Sequence, residues 1–466
     1  MNTECLKPAH FYQKISMAMT SPVVHTATCS AGSNLAVIKY WGKASKALNT
    51  PINSSVSVAL NQDDLCTVTT VAASKSFSSD RLWLNDSEED ITGNKRVQVV
   101  LREMRRLAQD YADESGKVLV ASADWADYKV HIVSRNNFPT AAGLASSAAG
   151  YACMVASLAE LFCCKEAYPG ELSCVARQGS GSACRSMYGG FVRWQKGEKA
   201  DGSDSHAVQV APADHWPDMQ VLILVANVHK KETSSTDGMS TSVATSPLLK
   251  HRAEHIVPPR LQEIEAAFLR RDFPAFGKLA MQDSNQFHAT CLDTYPPIFY
   301  MNETSHRIVA LVHKYNEHAG QVKAAYTFDA GPNAVIFVER KDAAHLLAFL
   351  LLALPNAEQA QSLRPYVNDP KLRQQAALVK LEDGLLAIAR ARRSAGRLAY
   401  IMHTTVGSGP RRLVETASLV DAATGMPKCD NSAASDGAGA IGARRAARGA
   451  ACLFGFVAAA SHFFLR

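Results

Sequence analysis

The segment that most constrains this chain is a run of small residues, Pro139-Thr140-Ala141-Ala142-Gly143-Leu144-Ala145-Ser146-Ser147-Ala148-Ala149-Gly150. Before it, Tyr128, Val130 and Ile132 alternate with Lys129, His131 and Val133 as in a half-buried strand, and after it residues 151–162 form a strongly helical apolar run. A strand feeding a helix through such a loop commits the region to an α/β layer. Side chains this small let backbone N–H groups approach an anion, and the helix dipole favours negative charge at the same point. The loop at 139–150 therefore reads as a phosphate cradle. It carries no Gly-Lys-Ser/Thr and no G-x-G-x-x-G, so it is neither a Walker loop nor a dinucleotide fingerprint. An Ala-rich helix start capped by Ser146 and Ser147 would look the same.

Around this landmark the chain divides into four parts. Residues 1–22 read as a leader, with Lys7 and Lys14 but no apolar run of secretory-signal length. Residues 23–216 form a first α/β domain. It opens with short strands (alternating Val56, Val58 and Leu60, a polar turn at 61–64, then 65–71) and continues with an amphipathic helix over 97–112 that turns Arg102, Arg105 and Arg106 outward. A linker holding Pro212 and Pro217 leads to a second domain, 217–428. This starts with the central-strand run Val221-Leu222-Ile223-Leu224-Val225, and helical patterns follow at 260–268, 276–281, 308–315 and 343–354, with a strand pair at 324–328 and 334–338. In residues 429–466, 17 of 38 are Ala or Gly without a sustained period, which predicts an appended low-complexity tail.

Charge and cysteine usage exclude several classes. The net charge is +6, and the stretch from Lys428 to Arg466 alone contributes +3, from five basic and two acidic residues. The remainder is nearly neutral, so no nucleic-acid partner is expected and any polyanion must be held locally. Eleven cysteines occur without a C-x-x-C pair, which predicts reduced, mostly buried thiols in a reducing, cytoplasmic compartment and no zinc site. The apolar run at 450–460 is shorter than the ~20 residues a membrane span needs, so no stable membrane insertion is expected.

Several longer motifs go further. The segment Pro139 to Ala149 resembles the ATP-phosphate loop of the GHMP small-molecule kinases. Residues 34–43 (Asn-Leu-Ala-Val-Ile-Lys-Tyr-Trp-Gly-Lys), 136–143, 179–186 (Gly-Ser-Gly-Ser-Ala-Cys-Arg-Ser), 283–290 and 327–334 (Thr-Phe-Asp-Ala-Gly-Pro-Asn-Ala) resemble the diphosphomevalonate decarboxylase family within that superfamily. The resemblance covers residues 27–428 and implies an α/β (α+β) GHMP kinase fold, an N-terminal ribosomal protein S5 domain 2-like domain followed by a ferredoxin-like one. It also implies a homodimer and ATP-dependent conversion of mevalonate 5-diphosphate to isopentenyl diphosphate, with Mg2+ carried by ATP. A GHMP kinase that phosphorylates a related alcohol and stops, and a silent ligand sensor, are the competing readings.

The same resemblance distributes roles. Asp329 takes the C3-hydroxyl proton, Arg185 orients the substrate carboxylate, Asn34 ties Arg185 to substrate, and Lys39 completes the catalytic set. Tyr40, Trp41, Lys43, Ser180, Ser182, Arg185 and Ser235 bind mevalonate diphosphate. Gly143, Ala145, Ser146, Ser147 and Ala148 bind ATP. His288 reads as a packed or capping histidine. Ala31-Gly32-Ser33 stands where relatives usually have Ala-Pro-Val, which predicts a more flexible entry into the Asn34 segment.

Overall fold

The computed structural model describes residues 23–137, 146–226, 232–356 and 365–428. The leader 1–22, the tail 429–466 and residues 138–145, with Gly143 and Ala145, lie outside the described residues. Three main sheets build the molecule. The first has the order Arg411–Arg412, His25–Gly32, Cys66–Ser74, Lys129–Asn136, Arg81–Leu84, Ser87–Glu89. Helix Ser146–Leu161 lies against its His25–Gly32 and Cys66–Ser74 strands. Helix Lys95–Arg106 shares the same core through Val97, Val100, Leu101 and Met104.

The first helix is shorter than its periodicity predicts. Leu107 and Ala108 are buried, so the apolar pattern continues, but the Gln109 N–H donates to Phe162 O (2.9 Å) and Trp125 Nε1 donates to Gln109 O (3.0 Å). These bonds draw the chain out of the helix, and Tyr111–Ala112 instead pairs with Val118–Val120. The Lys129–Asn136 strand also departs from the half-buried expectation, because both faces are covered. On the second face Ala72, Trp83 and Val133 pack against Val420, and His131 stacks on Phe77 with ring centroids 3.8 Å apart. That covering segment comes from the far end of the chain, where Arg411–Arg412 pairs with Cys29 and Ser30.

The second sheet runs Ala207–Ala211, Phe191–Trp194, Ser55–Ala59, Asn34–Ile38. The third runs Ala324–Phe328, Ala334–Glu339, Met219–Val225, Tyr400–Thr405. Numbered by sequence, the third has the strand order 2-3-1-4 with antiparallel neighbours throughout, the ferredoxin-like arrangement. Its Met219–Val225 strand is buried at every position, as an unbroken apolar run requires. Helices Val257–Arg270 and Phe273–Asp293 join the second and third sheets, the latter touching both Asn34–Ile38 and Ala324–Phe328. One continuous apolar core runs from Leu35, Val56 and Phe191 through Phe268 and Phe276 to Leu222 and Ile336. The catalytic candidates from both halves meet across this join.

Gly32 does not loosen the chain. It is buried as the last residue of its strand, and a Cβ there would lie 2.4 Å from Leu60 O. The glycine serves close backbone approach rather than flexibility. All eight described cysteines are free, five of them buried. Among the described residues no helix is long and apolar enough to cross a membrane.

Candidate active site

Strand alternation sets the first half of the site. Along Ser55–Ala59, Val56 and Val58 enter the apolar core, so Ser55 and Ser57 point the other way. There they meet Arg185, whose Nε donates to Ser57 Oγ (3.0 Å) and Asn34 Oδ1 (3.1 Å) and whose Nη1 donates to Ser55 Oγ (2.5 Å). Asn34 Nδ2 in turn donates to Ser182 O (3.0 Å) and Ser186 Oγ (2.8 Å). Neutral partners thus orient the guanidinium without neutralising it. Burial pushes the Arg185 pKa down, and the nearby Asp329 charge offsets part of that effect.

Lys39 is the second anchor. Its side chain is 3% exposed and Nζ donates to Asp329 Oδ1 at 2.6 Å, whereas the Asp329 side chain is 32% exposed. The carboxylate therefore presents its free edge to incoming molecules while the ammonium is walled in. Asp329 follows the Ala324–Phe328 strand in a tight turn closed by the Gly331 N–H on Asp329 O (2.7 Å). The Lys39 backbone is equally constrained, because its N–H donates to Asp283 Oδ2 (2.7 Å) and its carbonyl accepts from Asn53 Nδ2 (3.2 Å). Asp283 is wholly buried. Burial alone would raise its carboxyl pKa, but the Arg252 guanidinium, the Lys39 N–H and Arg260 together hold it below the usual carboxylate range.

A positive rim lies beside this pair. Burial, with Arg96 and Lys46 nearby, pushes the Lys43 ammonium down to about 8. Like charges nearby disfavour the protonated form, and an anion placed between them would relieve that cost. Tyr40 packs on Trp194 (centroids 4.7 Å) and on Gly181, where a Cβ would come within 3.0 Å of the Tyr40 ring. Gly181 thus leaves room for the aromatic wall. Ser180 Oγ lies 3.2 Å from Ser147 Oγ, which brings the start of the 16-residue helix Ser146–Leu161, where Ser147 is exposed, to the same opening.

The remaining expected residues are placed differently. Trp41 is 3% exposed in a cluster with Phe287, Tyr300 and Ala330, and its Nε1 donates to Ser242 Oγ (2.9 Å). It braces the site from behind. Ala148 is fully buried, so only its backbone can face a ligand. Ser182 is partly buried and contributes its carbonyl to Asn34. Ser235 is the partly exposed first residue of helix Ser235–Thr245, which reaches Trp41 through Gly238. Burial, reinforced by the Lys39 charge, pushes His288 down to about 3, so its imidazole is neutral.

Sequence reasoning missed Arg96, Ser55, Ser57 and Asp283. A signal for Arg96 existed: helix Lys95–Arg106 opens with two cations and no acid in its first turn, against the helix dipole. Asp283 opens the 283–290 motif, although nothing there marks its carboxylate as the acceptor for the Lys39 N–H; Ser55 and Ser57 carry no signal, since a serine on a strand gains meaning only from the partner opposite.

Comparison with known proteins places the chain in a family. The profile for the mevalonate 5-diphosphate decarboxylase C-terminal domain matches residues 221–413, and that for the diphosphomevalonate decarboxylase-like N-terminal domain matches residues 31–207. A diphosphomevalonate decarboxylase of Rattus norvegicus is 52% identical over 415 residues, spanning 89% of this chain and 100% of its own. The solved mevalonate diphosphate decarboxylase of Trypanosoma brucei is 37% identical, with a TM-score of 0.75 over 85% of this chain and 100% of its own. A solved complex of MDDEF with MVAPP, AMPPCP and magnesium is 28% identical, with a TM-score of 0.63 over 84% of this chain and 99% of its own.

Proposed function

The chain belongs to the diphosphomevalonate decarboxylase family, and from that membership we propose how its own residues divide the work. The reaction is the ATP-dependent decarboxylation of mevalonate 5-diphosphate, a lyase step of the mevalonate pathway. The observation that carries the assignment is the Lys39–Asp329 contact, with the ammonium buried and the carboxylate open, across the join between the second and third sheets.

Asp329 accepts the proton of the C3 hydroxyl as that oxygen gains its phosphoryl group. Lys39 fixes the carboxylate in position by a charge-assisted hydrogen bond. Arg185, held by Asn34, Ser55 and Ser57, orients the substrate carboxylate. It should do so without clamping it, because a carboxylate bound too tightly is stabilised against leaving as CO2. Lys43, Arg96 and Lys46 receive the diphosphate beside Tyr40, and Ser180, Ser182 and Ser235 complete the substrate wall. The first turn of helix Ser146–Leu161, with the Ser146 and Ser147 hydroxyls and the Ala148 backbone, receives the ATP phosphates.

Hydroxyls and helix amides at that opening suit a nucleotide bringing its own Mg2+, and the ion would supply charge neutralisation between the phosphates. The MDDEF complex holds magnesium together with AMPPCP, which supports this reading. We assign a cytoplasmic, homodimeric enzyme, the first from the free cysteines and the second from the family; sedimentation as a monomer at micromolar concentration would refute the dimer.

The test is release of CO2 from mevalonate diphosphate with ATP and Mg2+. Asp329→Asn should lower turnover by several orders of magnitude while nucleotide binding persists. A loss of less than about tenfold would remove Asp329 from the reaction.

A further inference from the structure

One face of helix Phe273–Asp293 touches both strands that lead to the reacting pair. Asp283 Oδ2 accepts the Lys39 N–H at 2.7 Å, and the next residue, Ser284, accepts the Phe328 N–H on Oγ at 2.9 Å, one position before Asp329. A turn later, Phe287 stands edge-on to Trp41 with centroids 4.9 Å apart. Ala324–Phe328 is an edge strand paired only with Ala334–Glu339. An edge strand leaves alternate N–H groups without a partner inside the sheet. Ser284, 1% exposed, supplies the acceptor for the last of these N–H groups, where Asp329 leaves the sheet.

We infer that Ser284 is a positioning residue for the decarboxylation, its hydroxyl fixing the carbonyl-to-carboxylate turn of Asp329 against a Lys39 that Asp283 holds from the same helix. The inference rests on Lys39 and Asp329 being the reacting pair. A displacement of about 1 Å at a proton acceptor costs rate without weakening substrate binding elsewhere, so the signature is a fall in kcat at constant KM. The same seam supplies a control. Tyr326 Oη donates to Asn285 Oδ1 at 2.9 Å, two residues farther from Asp329.

The experiment compares CO2 release by the full chain and by its Ser284→Ala, Tyr326→Phe and Asp329→Asn variants at saturating and limiting substrate. Ser284→Ala should lower kcat about tenfold, with both KM values within about twofold, and Tyr326→Phe should leave kcat within about twofold. An unchanged kcat for Ser284→Ala, or an equal loss in Tyr326→Phe, overturns the proposal. Should Ser284→Ala fail to fold, Ser284→Cys, of similar size but a poor acceptor, takes its place. Failure of both to fold assigns the hydroxyl to stability and overturns the proposal as well. An active Asp329→Asn would instead refute the site reading beneath it, a result distinguishable from failure of Ser284 alone.

Discussion

Lys43 holds a charge that the empty fold resists, and Lys43→Met measures the conflict. Its pKa falls from 10.5 to about 8, chiefly through burial and then through Arg96 and Lys46. At 1.36 kcal/mol per tenfold change that fall places about 3 kcal/mol on the charged form, and solvent around a partly exposed side chain reduces it to ~1–2 kcal/mol. At pH 7 the lysine is protonated in both folded and unfolded chains, so the folded state alone bears this cost. Between pH 8 and 10.5 the unfolded chain binds more protons than the folded one, and stability from this group rises with pH. Above 10.5 both forms are neutral and the cost is gone. Methionine keeps the length and removes the charge. Thermal unfolding without substrates should therefore show Lys43→Met melting about 1–2 °C above the parent at pH 7, with the gap closing by pH 10.5. The KM for mevalonate diphosphate should rise about tenfold or more, because the penalised charge is the one we propose receives the diphosphate. A variant that melts below the parent at pH 7, or a gap that ignores pH, would refute the reasoning.

Substitutions at two further positions probe the walls of the site. Arg185→Gln should lower kcat by about a hundredfold or more and raise the KM for mevalonate diphosphate, and Arg185→Lys should not restore either, because one ammonium cannot reach Asn34, Ser55 and Ser57 together; steady-state kinetics decide it. Gly181→Ala puts a methyl about 3.0 Å from Tyr40 and Trp194, so it should raise the KM for mevalonate diphosphate several-fold while leaving the KM for ATP near its parent value, measured by varying each substrate separately.

What could be read from the chain depended on whether the signal was local. The strands at 324–328 and 334–338 and the central run at 221–225 announce themselves by period, and the structure has them within a few residues; the helical patterns at 260–268, 308–315 and 343–354 fall on Val257–Arg270, Glu303–Ala319 and Arg340–Ala353, but that at 276–281 marks only part of Phe273–Asp293, and Ser235–Thr245, Pro370–Leu378 and Asp383–Ala391 carry no such signal. Asn34, Lys39, Arg185 and Asp329 stand in ordered motifs, and the fold brings them together. The overreach of the first helix came from a period that Leu107 and Ala108 satisfy by packing while the backbone is already turning toward Phe162. Trp41 belongs to the same motif as Lys39, yet its neighbour in space, Phe287, lies far along the chain, and no spacing rule reveals whether an indole faces a ligand or a core. The Arg252–Asp283–Arg260 cluster is invisible for the same reason.

The strand at Arg411–Arg412 adds an edge to the first sheet, and the segment around Val420 covers its second face. On a ribosome that cover is synthesised last. Cys66–Ser74 and Lys129–Asn136 can pair early, but the side of the sheet carrying Ala72, Trp83 and Val133 has no native lid until roughly 300 further residues have been added, on the order of 15–60 s at ordinary elongation rates. For that interval the nascent first domain presents an apolar surface whose proper occupant does not yet exist, which makes it a natural client for chaperones and makes the finished enzyme's assembly depend on the arrival of its own closing segment.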